Sequence, residues 1–170
     1  MIKTLRRIVV GGIRTEAPPE PAEELRTMRQ RLSEQVLEHF AGALAIRHVD
    51  AGSCNGCELE INATHNPFYN LEGLGITFVA SPRHADMLLV TGPVSRHMEM
   101  ALRRTYEATP DPKLVVAIGD CGCTGGVFGE SYASRGRVAN VIPVDVAVPG
   151  CPPTPFAIMQ GILTAIAREK

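Results

Sequence analysis

The stretch "KLVVAIGDCGCTGG", residues 113–126, decides the fold class. It begins as an apolar, β-branched run, which is typical of a buried strand, and it ends in a glycine-bearing loop with two cysteines. Four other short runs have the same character and alternate with helix-like segments: residues 45–50, 76–80, 87–92 and 142–150. Apolar strands that alternate with helices predict an α/β fold, in which a mostly parallel sheet is covered by helices on both faces.

Three segments have the apolar spacing of amphipathic helices. The first should begin near Pro21, with a stripe made of Leu25, Met28, Leu32, Val36 and Phe40. The second covers residues 95–108, with Ser95 as its cap and the inward side chains Met98, Ala101, Leu102 and Tyr106. The third covers residues 154–168, with the apolar face Ile158, Ile162, Ala165 and Ile166.

The first of these helices has two interpretations: it packs on its own domain, or it docks on another subunit. The residues before it, which end in a proline cluster, look like an arm and a linker. We therefore divide the chain into an N-terminal arm and amphipathic helix, residues 1–44, and an α/β domain, residues 45–170.

Composition excludes several functions. The chain has 170 residues, 45% of them hydrophobic, and a net charge of −1, so it suits one globular domain and gives no electrostatic reason to expect nucleic acid as a partner. No apolar run approaches the roughly 20 residues that span a bilayer, and no export signal or cleavage site is recognisable. Five cysteines, an odd number, also argue against a secreted disulfide framework. We therefore expect a cytoplasmic protein.

The five cysteines all follow predicted strands. Cys54 and Cys57 come after the first strand, Cys121 and Cys123 after the fourth, and Cys151 after the last. Open α/β sheets build their binding sites at this carboxyl edge. If the three strands are neighbours, cysteines from distant parts of the sequence meet at one place.

Three chemistries compete for these cysteines. A redox pair explains only Cys54 and Cys57. Tetrahedral zinc usually takes two closely spaced pairs, whereas Cys151 stands alone. An iron–sulfur cubane needs four thiolates, accepts one pair and two single cysteines, and suits glycine-rich loops whose N–H groups can point at the sulfides. The spacing favours the cluster over zinc and over redox or structural thiols, and it leaves all three open.

Four motifs, in this order and spacing, resemble a known family: "GSCNGCELEI" (52–61), "FVASPRHADMLLVTGPVSRHM" (78–98), "IGDCGCTGGVFG" (118–129) and "VDVAVPGCPPTP" (144–155). The family is the iron–sulfur subunit shared by nickel–iron hydrogenases and complex I, in which it is the 20 kDa subunit of NADH-quinone oxidoreductase. The likeness covers residues 45–168. Within the family the chain is most similar to the small subunit of energy-converting membrane-bound hydrogenases, of the formate hydrogenlyase and hydrogenase-4 type.

The resemblance implies a flavodoxin-like fold and a site. One 4Fe–4S cluster would be held by Cys54, Cys57, Cys121 and Cys151, while Cys123 would be a small buried residue. Residues expected around the cluster are Gly52, Ser53, Gly119, Gly122, Gly125, Gly126 and Gly150. Glu60 matches a family glutamate near the cluster, and it is either a proton relay or a structural residue. Glu58 is expected to be a solvated neighbour.

The resemblance also implies partners. The chain would pass electrons between a nickel–iron centre on a large catalytic subunit and clusters on a ferredoxin-like iron–sulfur subunit, in a complex with integral membrane subunits. It would be peripheral, on the cytoplasmic side of the membrane. The length of the chain and the number of its cysteines lead us to expect one cluster rather than several.

Two other functions stay open at this stage. The first is complex I-type quinone reduction, although complex I subunits carry two adjacent cysteines where Cys54 and Cys57 are separated by two residues. The second is a structural or assembly subunit whose cluster takes no part in redox chemistry.

Overall fold

The computed structural model describes residues 21–168, together with Arg6 and Val10, so the predicted N-terminal arm lies almost wholly outside the described residues. Five parallel strands form one sheet: β1 (Leu44–Asp50), β2 (Ile76–Phe78), β3 (Met87–Thr91), β4 (Leu114–Ile118) and β5 (Val146–Val148). Their spatial order is β2–β1–β3–β4–β5, and every pairing between them is parallel. This is the flavodoxin-like order, which confirms the predicted fold class.

The helices are α1 (Glu23–Phe40), α2 (Gly56–Ala63), α3 (Arg96–Ala108), α4 (Gly119–Thr124) and α5 (Pro155–Ile166). Short 3-10 turns cover Glu72–Leu74, Pro82–His84 and Val138–Asn140. Two helix starts follow directly from the sequence. Ser95 caps α3 by accepting from the N–H of Met98, and Thr154 caps α5 by accepting from the N–H of Ala157.

Helices cover both faces of the sheet, as predicted. On one face, α1, α2 and α5 pack on alternate residues of the strands, and fully buried members of this core include Leu32, Leu44, Met87 and Ile162. On the other face, α3 and the turn at Val138–Asn140 pack on the remaining residues of the same strands. Four of the five stripe residues of α1 are buried and Phe40 is half-buried, so this helix shares its core with α5.

Two predicted details are wrong. Ala101 faces solvent, because α3 turns mainly Leu102 towards the sheet. The last strand is shorter than residues 142–150, because the chain before Val146 follows a 3-10 turn and inserts Ile142 into the second core. The periodicity of apolar residues is the same for a buried turn and a buried strand over so few positions.

Within the described residues, no helix combines the length and the apolar character that crossing a bilayer requires.

Candidate metal centre

Four of the five cysteines gather at the carboxyl edge of the sheet. The thiol of Cys57 interacts electrostatically with those of Cys121, Cys54 and Cys151. The thiol of Cys121 interacts in the same way with those of Cys151 and Cys54. Burial, followed by the neighbouring Glu58 and these thiols, raises the pKa of Cys57 from 9.0 to about 12. None of the cysteines forms a disulfide. We call Cys54, Cys57, Cys121 and Cys151 the four-thiol group.

The loop after β1 presents the first two thiols. Asp50, the last residue of the strand, accepts hydrogen bonds from the N–H groups of Gly52 and Ser53, both at 2.8 Å. The hydroxyl of Ser53 then accepts from the N–H of Asn55 at 3.1 Å, and Asn55 takes a positive φ of 71° just before α2 begins. Gly52 and Ser53 therefore shape the loop that carries Cys54.

Two glycines bring backbone directly against two sulfurs. At Gly119, where φ is +82°, a Cβ atom would lie 2.6 Å from the Sγ of Cys57. At Gly126, where φ is +55°, a Cβ atom would lie 2.8 Å from the Sγ of Cys121. Both positions exclude a side chain, because sulfur already occupies the space and the left-handed backbone favours glycine. Since Gly119 precedes Cys121 in α4 and Cys57 lies on α2, the first and second cysteine motifs are in contact.

The second and third cysteine motifs, residues 118–129 and 144–155, are joined by a reciprocal pair of hydrogen bonds. The N–H of Asp120 donates to the carbonyl of Gly150, and the N–H of Gly150 donates to Oδ1 of Asp120, each at 2.8 Å. The start of α4, which carries Cys121, and the loop that carries Cys151 are thereby held side by side. The sequence reasoning did not single out Asp120, although an acidic residue directly before a cysteine at a strand end was a usable signal.

The remaining predicted glycines approach protein rather than sulfur. A Cβ at Gly122 would lie 3.5 Å from the carbonyl of Val90, and one at Gly125 would lie 3.2 Å from the Cα of Gly129. Gly150 sits against the ring of Pro153, with 2.7 Å between a built Cβ and the proline Cα. These residues allow the loops to pack closely beneath the four-thiol group.

Cys123 lies apart from the group. Its thiol donates to the carbonyl of Ala117 at 3.6 Å, and burial followed by the charge of Asp120 raises its pKa to about 11. The charges of the other cysteines do not contribute to this shift. Two residues along a helix turn a side chain by about 200°, so Cys121 and Cys123 point to opposite sides of α4.

The expectation that Glu58 is a solvated neighbour is wrong. Its side chain is 12% exposed, and its Oε1 accepts a hydrogen bond from the hydroxyl of Thr91. His48 Nε2 lies 3.0 Å from the same hydroxyl oxygen and 3.6 Å from Glu58 Oε1. Burial lowers the pKa of His48 in spite of the nearby carboxylates of Glu58 and Asp50. Glu60, in contrast, is half-buried, and its side chain forms no hydrogen bond with other residues that the structure describes.

The sequence contained a signal that two members of this network, His48 and Thr91, point inward. Residues at alternate positions of a strand share one face, so His48 lies on the same side of β1 as Leu44 and Ile46, both fully buried. Thr91 likewise shares a face of β3 with Met87. The alternation predicts that His48 and Thr91 point into the core rather than to solvent.

The donor set fits an iron–sulfur cluster. Four thiols from three separate segments of the chain provide the ligand number and type that a cubane requires, and glycine backbone lines two of the sulfurs. Among the described residues, no three His, Cys, Asp or Glu side chains converge closely enough to hold a single metal ion. A cluster of four irons is larger than one ion, and its thiolates bind at separate corners rather than around one point.

Fold and site together define an α/β protein of flavodoxin-like topology with a four-cysteine site at the carboxyl edge of its sheet. Residues 54–165 match the family model described as "NADH ubiquinone oxidoreductase, 20 Kd subunit". The chain belongs to this family. The matched range begins at the first cysteine of the four-thiol group and includes all the others.

Curated relatives come from two kinds of complex. The probable membrane-bound hydrogenase subunit mbhJ of Pyrococcus furiosus is 47% identical over 143 residues, which cover 82% of this chain and 86% of the relative. Formate hydrogenlyase subunit 7 of Escherichia coli is 43% identical over 85% of this chain and 55% of its own length. An NADH-quinone oxidoreductase subunit of Desulfovibrio desulfuricans is 47% identical over 63% of this chain and 58% of its own length. The chain therefore spans little more than half of the last two.

A solved structure has the same fold. A chain of the membrane-bound sulfane sulfur reductase, an archaeal respiratory membrane complex, matches with a TM-score of 0.66 and 34% sequence identity. The match covers 79% of this chain and 77% of that chain.

Proposed function

We propose that this chain is an electron-transfer subunit that carries one 4Fe–4S cluster in a multisubunit, membrane-associated hydrogenase. The observation that carries the proposal is the four-thiol group, in which three segments far apart in the sequence are in contact and bring their thiols together. The ligands are Cys54, Cys57, Cys121 and Cys151. When bound, the cluster supplies a one-electron acceptor and donor.

The chain's own residues orient the ligands, of which Cys57 and Cys121 are half-buried and Cys54 and Cys151 are exposed. The Asp120–Gly150 pair fixes the loops of Cys121 and Cys151 relative to each other, and Asp50 fixes the turn that leads to Cys54. Burial of Cys57 limits access of solvent to that side of the site. Because these contacts exist within the chain, little reorganisation is needed when the thiols take up iron.

Anaerobic reconstitution of the purified chain tests the cluster. We expect about four irons per chain and an electron paramagnetic resonance signal of a reduced 4Fe–4S cluster, since four thiolates match one cubane. Cys121→Ala should lose the signal, whereas Cys123→Ala, two residues away in the same helix, should keep it. A signal that survives in the Cys121 variant, or an iron-free wild-type chain, would reject the assignment.

The partners we propose are a large catalytic subunit with a nickel–iron centre, a ferredoxin-like iron–sulfur subunit and integral membrane subunits. Apolar side chains that flank the cysteine motifs are exposed, with Val127 at 95% and Leu59 at 61% exposure. Val127 follows Gly126, which touches the sulfur of Cys121, so this apolar surface adjoins the site. Exposed apolar surface of this kind favours burial by another subunit. The protein would be peripheral, on the cytoplasmic side of the membrane.

Quinone reduction of the complex I type is the second candidate, because the chain also resembles a subunit of such a complex, although over a smaller part of its length (63%) than it resembles the hydrogenase subunit mbhJ (82%). The relative from NADH-quinone oxidoreductase and the hydrogenase subunit mbhJ are both 47% identical over the ranges that match. The native complex, purified with its large subunit, distinguishes the two. Hydrogen evolution and nickel in the large subunit support the hydrogenase. Quinone-dependent activity without nickel supports the alternative.

A structural or assembly role predicts a different result in a redox titration of the same complex. A purely structural cluster would bind to the four-thiol group without being reducible at the potentials that the complex reaches. A reversible one-electron signal in the intact complex therefore argues for electron transfer.

Glu60 is a proposed proton relay between this chain and the large subunit. It lies on α2, three residues after Cys57, and is half-buried, so it can be reached from the surface. Glu60→Gln removes the titrating group with little change in shape. We expect hydrogen turnover to fall about 10²-fold or more, as for a positioned acid or base, while the cluster signal stays intact. Unchanged turnover would leave Glu60 with a structural role.

A further inference from the structure

A chain of hydrogen bonds beneath the four-thiol group ends on the residue next to Cys57. An ionised carboxylate only accepts hydrogen bonds, so Thr91 donates its single hydroxyl hydrogen to Oε1 of Glu58. The hydroxyl oxygen of Thr91 must then accept from Nε2 of His48, 3.0 Å away. Donation along this hydrogen-bond chain therefore runs in one direction, from His48 through Thr91 to Glu58.

The hydrogen-bond chain is anchored at the centre of the sheet. Thr91 is fully buried at the end of β3, which lies in the middle of the sheet, and its carbonyl accepts from the N–H of Ala51 at 3.0 Å. His48 lies on β1, the strand paired with β3. Glu58 is in the first turn of α2, directly after Cys57. The carboxylate of Glu58 is thus hydrogen-bonded to the sheet through Thr91, and its residue is the sequence neighbour of the proposed ligand Cys57.

The other oxygen of Glu58 strengthens this interpretation. Oε2 is buried and has no hydrogen-bond partner among the residues that the structure describes. Burying a polar oxygen without a partner is unfavourable, so such a group needs a reason to be there. Within the described part of the chain, no ion pair holds the carboxylate except the contact with His48, at 3.6 Å, and burial favours the neutral form of that imidazole.

We propose that Thr91 and His48 position Glu58 as a fixed negative charge beside Cys57, and that this charge lowers the reduction potential of the cluster. The inference rests on the proposed function and deepens it. Reduction adds one electron from the reductant to the cluster, with no bond made or broken. A nearby negative charge opposes this added charge, and low local polarity strengthens the effect. Glu58 directly follows Cys57 in the first turn of α2, so its carboxylate lies close to this proposed ligand.

A redox titration of the reconstituted full-length chain, followed by electron paramagnetic resonance, tests the inference. Glu58→Gln removes the charge and keeps the shape, so the midpoint potential should rise. At a fixed solution potential we expect the ratio of reduced to oxidised cluster to increase about tenfold, because a unit charge within about 10 Å is worth that much in a medium of intermediate polarity. Glu72→Gln, which removes an exposed carboxylate from the same chain, should leave the titration unchanged.

Thr91 variants separate positioning from general stability. Thr91→Val has nearly the same shape and no hydroxyl, so it should raise the potential in the same direction as Glu58→Gln. Thr91→Ser restores the hydroxyl and should return the wild-type potential. A purely structural role would lower the melting temperature of the Val variant without moving the potential.

The outcomes distinguish this inference from the function on which it rests. A wild-type chain with no reducible cluster overturns the proposed function. A reducible cluster whose potential is unchanged or lower in Glu58→Gln overturns only the inference. Should Thr91→Val fail to take up iron, His48→Leu is the second variant, because it removes the donor to Thr91 and changes a residue one step further along the hydrogen-bond chain from Glu58. We expect it to raise the potential by a smaller amount. An unchanged potential in that variant counts against the directed chain.

Discussion

Gly119→Ala is the sharpest test of how the cysteine motifs meet. The added Cβ would lie 2.6 Å from the Sγ of Cys57 and 3.5 Å from the carbonyl of Gly150. Backbone is on one side and a ligand sulfur on the other, so the methyl group has no flexible neighbour to displace except the thiol. The substitution should move Cys57 and leave the other three ligands near their places.

Three terms set the size of the effect on stability. An alanine at φ +82° is strained by about 1–2 kcal/mol. Overpacking against the sulfur adds about 1–3 kcal/mol. The reduced entropy of the unfolded chain offsets about 0.4–1 kcal/mol. We therefore expect the iron-free chain to lose about 1–5 kcal/mol of its free energy of unfolding.

Gly129→Ala is the matched control. Gly129 also has a positive φ, +52°, but a Cβ there would meet nothing within 4 Å. The control therefore carries the backbone strain and no contact with sulfur, so its loss of stability should stay at about 1 kcal/mol. Urea unfolding measures the stabilities, and the iron content after reconstitution measures the site. Equal stability and equal iron content in the two variants would refute the close approach of Gly119 to Cys57.

Three other predictions follow from the same contacts. Asp120→Ala removes the acceptor for the N–H of Gly150 and should lower the free energy of unfolding in urea by about 1–3 kcal/mol. Asp120→Asn keeps an oxygen acceptor and should lower it less. Equal losses in the two variants would contradict the assignment of this hydrogen bond. Because burial raises the pKa of Cys57 from 9.0 to about 12, the folded iron-free chain holds this proton more tightly than the unfolded chain. The resulting stability is present below pH 9.0 and is lost as the pH rises towards about 12, so the melting temperature should fall over this range, and less steeply in Cys57→Ala. Leu32→Ala should lower the free energy of unfolding by about 2–5 kcal/mol, because this α1 side chain is fully buried. Leu37, on the same helix, is 66% exposed, so Leu37→Ala should change it by no more than about 0.5 kcal/mol. Similar losses in the two variants would mean that α1 is not part of the core.

The sequence predicted the sheet well because its central strands have a simple hydrophobic pattern. β3 and β4 are buried at every position, so each reads as an uninterrupted apolar run between glycine-bearing loops. Capping residues fixed the starts of α3 and α5 for a local reason, since one hydroxyl and one N–H group suffice. The length of β5 failed because Ile142 is buried by tertiary packing, and burial alone does not distinguish a turn from a strand.

The residue types of the site could be predicted from the sequence, but the hydrogen bonds around the site could not. The cysteines are recognisable from residue type and spacing, and the structure brings four of them together. The partners of Glu58 are separated from it by 10 and 33 positions in the sequence, at His48 and Thr91, and nothing local indicates that they meet. The eight residues of α2 are also too few for periodicity to show which of Glu58 and Glu60 turns inward.

The order of the strands explains how three separate loops can share one site. The sequence reasoning expected convergence if the three cysteine-bearing strands were neighbours, but β3 lies between β1 and β4. The loop after β1 crosses this gap. At Gly92, just after β3, a Cβ would lie 2.5 Å from the N of Ser53, so the chain that leads to Cys54 passes directly over the end of the intervening strand. A cysteine loop after β3 is therefore unnecessary, and a side chain at Gly92 would block the crossing that brings Cys54 and Cys57 to Cys121 and Cys151.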